Sequence, residues 1–379
     1  MGIDGYLGWP LAMRLSNRGH DVSGVDNFSR RKNVEEIGSH SATPIKTFNE
    51  RLKVWQKVSG KKLGFYEGDL TKYDFVDNII GKENPDCIVH LGEIPSAPYS
   101  MIDVEHCNHT QMNNIIGTNN ILFAMKKQVP KCHLLKLGTM GEYGTPNIDI
   151  PEGFFEIEFR GRKDYLPFPR QPGSWYHLSK VHDSHNIMFA CKIWGLRSTD
   201  IMQGVVHGIV TAEMANDELL TRFDFDEAWG TALNRFCAQA VIGHELTPYG
   251  KGGQTRGFIA LRDSIECMTI TAENPPTEGE YRVFNQFDET YSVNELAEHV
   301  VNIAGEFGLK TKIWSIENPR MEKEEHYYNP DRKKLPALGF KPLFNLDSEL
   351  RLTIPKLIMY KSRIEEKKKS IMPKIKWRG

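Results

Sequence analysis

Three residues stand at spacings that suit chemistry on an alcohol carbon. They are Tyr176 and Lys180 in Tyr176-His177-Leu178-Ser179-Lys180, and Thr139 in Gly138-Thr139-Met140-Gly141-Glu142-Tyr143-Gly144. Residues four apart on a helix share a face, about one turn separated. An ammonium beside a phenol favours the phenolate, so Tyr176 is expected to act as a base near neutral pH. With a hydroxyl residue at a strand end and a dinucleotide loop upstream, the set would draw the proton from an alcohol while a hydride leaves its carbon. Tyr-x-x-x-Lys alone carries little weight, because both residues often share a solvated helix face. What surrounds the pair decides.

The elements that must position them start at the first residues. Gly2-Ile3-Asp4-Gly5-Tyr6-Leu7-Gly8 is a glycine turn, and Trp9 to Arg18 follows with helical spacing and stops at Gly19. His20 to Asp26 then predicts a strand ending in an acid. Glycines let the backbone approach a pyrophosphate at a helix N-terminus, and an acid about 20 residues on holds the ribose hydroxyls. Asp26 favours NAD over NADP, because a carboxylate repels a 2′-phosphate. Arg30 and Arg31 follow in Asn27-Phe28-Ser29-Arg30-Arg31 and suit that phosphate, or equally the NAD pyrophosphate or adenine. NAD is the expectation. A strand should feed such a turn, yet Met1 directly precedes Gly2, so apolar residues of that strand are expected upstream in the natural protein.

Further strands are predicted over Lys62–Glu67 leading into Gly68-Asp69-Leu70, over Cys87–Gly92, and over His133–Leu137 ending at Thr139. Helical patterns lie between them, notably Thr110–Lys127, and another strand is expected at Leu196–Met202. Such alternation implies an α/β fold with a doubly wound parallel sheet and ligands at the carboxyl ends of its strands. Thr139 sits at such an end. His90 is expected to be a packed or hydrogen-bonded strand residue.

Composition narrows the class. The chain has 379 residues, 40% of them hydrophobic and 26% charged, with a net charge of -1, so it is not a nucleic-acid binder by overall electrostatics. The tail from Lys361, with Lys367-Lys368-Lys369, is read as a solvated segment, the alternative being contact with an anionic partner or lipid. Six scattered cysteines without a C-x-x-C pair argue against a zinc site or a disulfide framework and fit a reducing compartment. No apolar run approaches the ~18–20 residues needed to span a bilayer, and no signal peptide is visible. The expected location is the cytoplasm, or a plastid stroma for a processed plant-type form.

In the second half, Tyr249-Gly250-Lys251-Gly252-Gly253-Gln254-Thr255-Arg256-Gly257 places Lys251 and Arg256 in a glycine-rich turn that suits phosphates, or else a surface hairpin. Asn318-Pro319-Arg320 supplies another cation. Phe154–Phe159 and Asp164–Phe168 flank Arg160-Gly161-Arg162-Lys163 as an inserted β-hairpin. It is expected to cover the site and exclude water.

Taken together, Gly2, Gly5, Gly8, Asp26, Gly68-Asp69-Leu70, Thr139, Tyr176, Lys180, Gly250 and Arg256 resemble the extended short-chain dehydrogenase/reductase family of nucleotide-sugar enzymes. Longer runs, among them Ser96–Met101, Leu137–Ile150, Tyr176–Asn186, Tyr249–Gly257 and Glu325–Asn329, resemble the branch that converts UDP-glucose and sulfite to UDP-sulfoquinovose. The resemblance implies a tightly held NAD, no metal, and a borrowed and returned hydride that opens elimination and sulfite addition. It implies cofactor contacts from Gly2, Asp4, Gly5, Tyr6, Leu7 and Gly8, then Asp26, Asn27, Ser29, Arg30 and Arg31, then Asp69, Leu70, Tyr176 and Lys180. Substrate contacts are expected from Thr139, Gly141, Tyr176, Gln203, Lys251, Arg256 and Arg320.

Related dehydratases carry Thr-Asp-Glu where this chain has Thr139-Met140-Gly141, so His177 and Glu142 are the nearest replacements for an acid and base. Glu93-Ile94-Pro95 lacks the arginine expected before Ser96-Ala97-Pro98. The implied architecture is an NAD-binding Rossmann domain at 1–202, with returns near 230–245 and 260–288. A smaller UDP-sugar-binding domain takes 203–229, 246–259 and 289–379. The family also implies a homodimer through the helices Thr110–Lys127 and Tyr176–Trp194. Whether sulfite arrives free or from a sulfite-donating partner protein is left open.

Overall fold

Short apolar runs separated by amphipathic helices dictate a parallel sheet covered on both faces. The computed structural model describes residues 1–320 and 322–377. Strand β1 (Ser23–Asp26) pairs in parallel with β2 (Gly64–Glu67), and β3 (Cys87–His90) with β4 (His133–Thr139). The place of the expected feeding strand, between β1 and β3, is taken by the first residues. Met1 N donates to Val89 O at 2.7 Å, Leu91 N to Met1 O at 3.0 Å, and Gly2 N to Val25 O at 2.7 Å.

Strands β5 (Phe154–Phe159) and β6 (Arg162–Pro167) form the inserted hairpin. Next, β7 (Arg197–Gln203) adds in parallel to β4. After β8 (Val205–His207) and β9 (Thr255–Ala260), β10 (Tyr281–Gln286) completes the order β10-β7-β4-β3. The last strand, β11 (Glu289–Ser292), joins β9 and β8 in a second small sheet. Register places Thr139 opposite Gln203 at the carboxyl edge of β4 and β7.

Side chains alternate across β4, so Leu134 packs on one face with Ile80, Ile121 and Ile187, and Leu135 on the other with Leu11, Ile201 and Phe284. The helix Leu261–Glu273 contributes Ile265 and Met268 to that second face. A separate core gathers Phe236, Leu296, Val300 and Leu350 from the helices Ala232–Val241, Val293–Glu306 and Leu346–Met359, with Leu246 from the chain between them. The helix Ala232–Val241, expected among the returns to the cofactor half, packs in this core, because Leu233, Phe236 and Cys237 face its helices and not the sheet.

Three further expectations are modified. The pattern over Thr110–Lys127 is not one regular helix: Val104–Gln111 and Gly117–Gln128 are joined by a π-type turn at Met112–Ile116. The wider turn brings Asn113 and Asn114 to the chain after β3, where Asn114 Oδ1 accepts from Ile94 N at 2.7 Å. The basic tail is docked: Ile364 and Ile371 are buried in the second core, and Glu227 Oε2 accepts from Lys374 N and Ile375 N. The hairpin packs at the β10 edge of the sheet, with Phe154 against Tyr281 and Phe155 against Phe168. Among the described residues, no helix is long and apolar enough to cross a membrane.

Strand β8 buries His207 with neither ring nitrogen partnered, and that burial pulls the imidazole down to about 3. An unfolded imidazole titrates near 6.5. Between these values the unfolded chain binds the proton and the folded chain does not. Stability present above pH 6.5 is therefore lost as pH falls toward 3. His207→Leu is expected to make the stability–pH curve shallower in this window by about 1.4 kcal/mol per pH unit. Urea unfolding at stepped pH measures it, and equal slopes in both proteins would refute the assignment.

Candidate active site

The glycine turn forms the floor of a cavity of about 350 Å³ at the carboxyl edge of the sheet. A Cβ at Gly8 would overlap the Gly2 carbonyl, so the turn closes only with glycine there. Asp26 accepts from Asp4 N at 2.9 Å and Phe28 N at 2.8 Å, while burial pushes its carboxyl up. Gly2, Asp4, Gly5, Tyr6, Leu7 and Gly8 line this cavity with Asp26, Asn27, Ser29, Arg30 and Leu70.

Two expected cofactor residues do not line it. Arg31 is drawn onto Asp4, at 2.6 and 2.7 Å, where Arg51 meets the same carboxylate at 2.8 Å. Asp69 accepts from Thr71 N and Oγ1, both at 2.8 Å, which fixes the turn after β2. Arg30 lines the cavity but pairs with Asp224 at 2.7 Å and lies 3.9 Å over the Trp229 ring. Both guanidiniums beyond Asp26 are thus drawn onto carboxylates, while Arg30 Nη1 keeps no partner.

At the other end of the cavity stand Thr139, Tyr176 and Lys180. The helix Trp175–Trp194 starts at Ser174, whose hydroxyl accepts from His177 N, and this cap sets the phase of Tyr176 and Lys180. Tyr176 is buried, and Thr139 Oγ1 accepts from Gly141 N at 3.1 Å. Lys180 Nζ is bonded to Glu93 Oε2 and donates to Leu137 O at 2.6 Å, and it lies 6.0 Å from the centre of the Tyr176 ring. The sequence-based expectation of a phenol drawn down by its lysine is corrected here. Burial pushes the Tyr176 phenol up, and the Glu93 charge pushes it further. The lysine faces Glu93 instead.

Glu142 is also corrected. It is fully buried and lines neither cavity. Its Oε1 is 3.3 Å from Lys136 Nζ and accepts from Thr139 N at 3.3 Å; its Oε2 is bonded to Arg170 and accepts from Ser184 Oγ at 2.9 Å. Against the upward push of burial, Lys136 and Arg170 hold the carboxyl below its usual range. A carboxylate so saturated cannot move protons at a substrate. It positions Thr139.

A second cavity of about 730 Å³ adjoins the first, sharing Thr139, Tyr176 and Gln203 in its wall. Gln203 is held by Ser264 at 3.0 Å and Gln286 at 2.9 Å. His177 and Gly141 line this cavity, with His177 Nδ1 3.0 Å from Ser174 Oγ. Burial pulls the His177 imidazole down to about 3, and the charges of Arg256 and Arg320 add to this, so the ring is neutral.

Arg256 and Arg320 line the far wall, together with Arg235. Arg235 lies 4.2 Å and Arg320 5.7 Å from the centre of the Tyr249 ring. Arg256 donates to His326 Nε2 at 2.6 Å and to Glu322 at 3.1 Å. Lys251 is excluded: it is exposed, and its backbone is tied to Glu324 and Asn294. The hairpin is excluded as well, since none of Phe154–Pro167 lines either cavity. Only the chain after it, at Gln171 and Gly173, reaches the wall.

The structure adds residues that the sequence reading passed over. Glu93, Asn113, Arg222 and Trp229 line the cofactor cavity, and Arg235 and Gln254 line the second. Gln254 is buried with neither amide atom partnered, which leaves it free for a ligand. Gln254 had a sequence signal as part of the glycine-rich turn, and Glu93 stood in the Glu93-Ile94-Pro95 run noted for its missing arginine. Among the described residues, no group of three His, Cys, Asp or Glu is arranged to hold a metal.

Residues 1–285 match the model of the NAD dependent epimerase/dehydratase family. The chain is 52% identical over 379 residues to a UDP-sulfoquinovose synthase of Sulfolobus acidocaldarius, covering 100% of this chain and 96% of that one. It is 51% identical over 379 residues to the chloroplastic UDP-sulfoquinovose synthase of Spinacia oleracea, covering 100% and 78%. A UDP-glucose 4-epimerase of Thermotoga maritima solved with UDP-glucose superposes with a TM-score of 0.71 at 20% identity, covering 95% of this chain and 97% of that one. A UDP-glucuronic acid 4-epimerase of Bacillus cereus, solved with UDP-glucuronic acid and NAD, gives 0.70 at 19%, covering 94% and 98%. The two structural likenesses show the shared fold.

The seat of His177 depends on Gly141, because a Cβ there would overlap the imidazole ring. Ser174 and the helix backbone leave that ring little freedom to yield. Gly141→Ala is expected to displace the ring and lower turnover by roughly 10²-fold while cofactor content stays that of the wild type. Turnover and bound dinucleotide measured on the same preparation check it; undiminished turnover would show that the ring has no part in the chemistry.

Proposed function

We propose that this chain, which belongs to the NAD dependent epimerase/dehydratase family, is a UDP-sulfoquinovose synthase that joins sulfite to UDP-glucose. The observation that carries the reading is the junction of the cofactor cavity with the arginine-lined cavity at Thr139, Tyr176 and Gln203. The 52% and 51% identity to synthases of that name supports the choice of substrate.

The residues present fit NAD: the glycine turn, Asp26, and Tyr176 with Lys180 all line one cavity. The chemistry that bound NAD supplies is acceptance of the C4 hydride and its later return. As the phenolate, which the cationic nicotinamide of bound NAD would favour against burial and the Glu93 charge, Tyr176 would take the proton of the C4 hydroxyl, and Thr139 Oγ1 hydrogen-bonds the same oxygen. A ketone at C4 acidifies the C5 hydrogen. Neutral His177, seated over Gly141, takes that proton and passes it to the C6 hydroxyl, which leaves as water. Sulfite adds through its sulfur lone pair to C6 of the 4-keto-5,6-ene, C5 takes a proton from solvent by way of the same imidazole, and Tyr176 returns its proton to O4. Arg256 and Arg320, with Arg235, face the diphosphate.

Two copies are proposed to pair through adjacent helices. Met112, Phe123, Trp175, Phe189 and Ile193 are large apolar side chains left exposed there, and Phe123 packs on Trp194 across the two helices. The six free cysteines support a reducing compartment, the cytoplasm or a plastid stroma.

Incubation with UDP-glucose and sulfite, followed by chromatographic separation and mass analysis of the nucleotide sugars, tests the reading. Sulfonate incorporation is the expected outcome. Conversion to UDP-galactose would instead identify an epimerase. Tyr176→Phe is expected to lower the rate by roughly 10²- to 10⁴-fold, the usual contribution of a positioned acid–base group. Light scattering should give twice the monomer mass, and a monomer at working concentration would rule out the pairing.

A further inference from the structure

Glu93 lies just past β3 and Asp183 lies three residues beyond Lys180, on the same helix face. Asn114 clamps these two segments together. Its Oδ1 accepts from Ile94 N at 2.7 Å, and its Nδ2 donates to Ser179 Oγ at 2.9 Å. Asp183 is completely buried, and neither of its oxygens has an N–H or O–H donor; Glu93 Oε1 has none either. The charges nearby are otherwise matched. Lys136 and Arg170 meet Glu142 and Asp200, and Lys180 meets Glu93. Among the described residues, Asp183 is in no ion pair. A second carboxylate here would be a buried charge without a partner, which is strongly disfavoured.

We propose that Asp183 carries a proton that it donates to Glu93, and that this carboxylic acid–carboxylate pair positions Lys180 beside the cofactor and makes Glu93 the charge that governs Tyr176. The step needs no donor beyond the two side chains: one proton joins two of the three empty oxygens and leaves the third an uncharged carbonyl. Burial and the Glu93 charge both push the Asp183 carboxyl well up, whereas Lys180, acting against burial, holds the Glu93 carboxyl down to about 2. The other groups facing the pair are His90 on β3, Lys136 on β4 and Tyr176 on the helix. His90 is pulled down to about 4 by burial, so it is neutral, and its Nε2 is 3.1 Å from Thr118 Oγ1. Lys136, against burial, is held protonated by Asp200 and Glu142. Among the described residues, Glu93 is therefore the only ionised carboxylate that both lines the cofactor cavity and touches Lys180.

The inference rests on the reading of Tyr176 as the base of a hydride step, and the experiment keeps the two apart. Infrared difference spectra of wild type and Asp183→Asn at neutral pH report the proton directly. A carboxylic-acid C=O stretch present in wild type and missing in the variant is expected, and its absence from wild type would overturn the pair whatever the enzyme does. The second readout is reduction of bound NAD by UDP-glucose against pH, followed by the absorbance of reduced NAD. Glu93→Gln is expected to move the ionisation limb down by about one to two pH units, because the like charge beside the phenol is gone. Asp183→Asn, which replaces one neutral donor by another, should leave that limb in place even where the rate falls. An unmoved limb in Glu93→Gln, or an equal shift in Asp183→Asn, overturns the proposal. If Glu93→Gln fails to fold, the spectrum and the Asp183→Asn profile still decide. If UDP-glucose leaves NAD oxidised in wild type, the hydride reading fails while the infrared band still decides the pair.

Discussion

One buried ammonium sets the coordinates of the site. Lys136 is wholly inaccessible and stands 3.3 Å from Glu142 Oε1, 3.5 Å from Asp200 Oδ1, 3.0 Å from Ser184 Oγ and 3.3 Å from the backbone oxygen of Lys180. Burying such a group is costly unless every donor is met, and here the four contacts come from three segments. Glu142 belongs to the turn that carries Thr139, Ser184 and the Lys180 carbonyl to the helix that carries Tyr176, and Asp200 to the neighbouring strand. The hydroxyl, the phenol and the amine are therefore referenced to a single cation behind the sheet edge. Gly138 makes the approach possible, since a Cβ there would crowd both Asp200 and Glu142.

The cofactor end follows the same logic with signs reversed. Asp4 is a buried carboxylate between Arg31 and Arg51, and it fixes the glycine turn at the cavity wall. Arg51 lies 4.3 Å over Trp9, which joins this pair to the aromatic cluster of Trp9, Phe48 and Phe65. Packing and ion pairing thus hold the turn together, and the amides of Gly2, Ile3, Asp4 and Gly5 are spent inside it, on Val25 O, the Asp26 carboxylate and Gly2 O.

Local patterns carried much of this in the sequence. The glycine turn, Asp26 and the Tyr176–Lys180 spacing are short-range features, and the alternation of strand and helix gave the sheet. Long-range placement was another matter. Lys136 sits in an apolar strand and its partners lie six, 48 and 64 residues away, so nothing near it announces a network. Glu142 was taken for an acid or base because it is a carboxylate next to Thr139; only the approach of Arg170 from beyond the hairpin shows that both oxygens are spoken for. Lys251 and Arg256 share one glycine-rich turn, and the direction each faces depends on strand β9, which carries Arg256 and leaves Lys251 outside. The hairpin itself was legible, whereas its docking at the β10 edge depends on Phe154 meeting Tyr281 far along the chain.

The distribution of cations in the larger cavity gives it a direction. Guanidiniums of Arg235, Arg256 and Arg320 share one wall, whereas at Thr139 and Tyr176 the ammonium of Lys180 is cancelled by Glu93 and the imidazole of His177 is uncharged. The chamber is an electrical dipole as well as a container. A molecule with an anionic tail and an uncharged ring is turned by that field before it touches a single side chain, tail toward the arginines and ring toward the phenol. A free anion entering alone meets the opposite bias and is drawn away from the phenol.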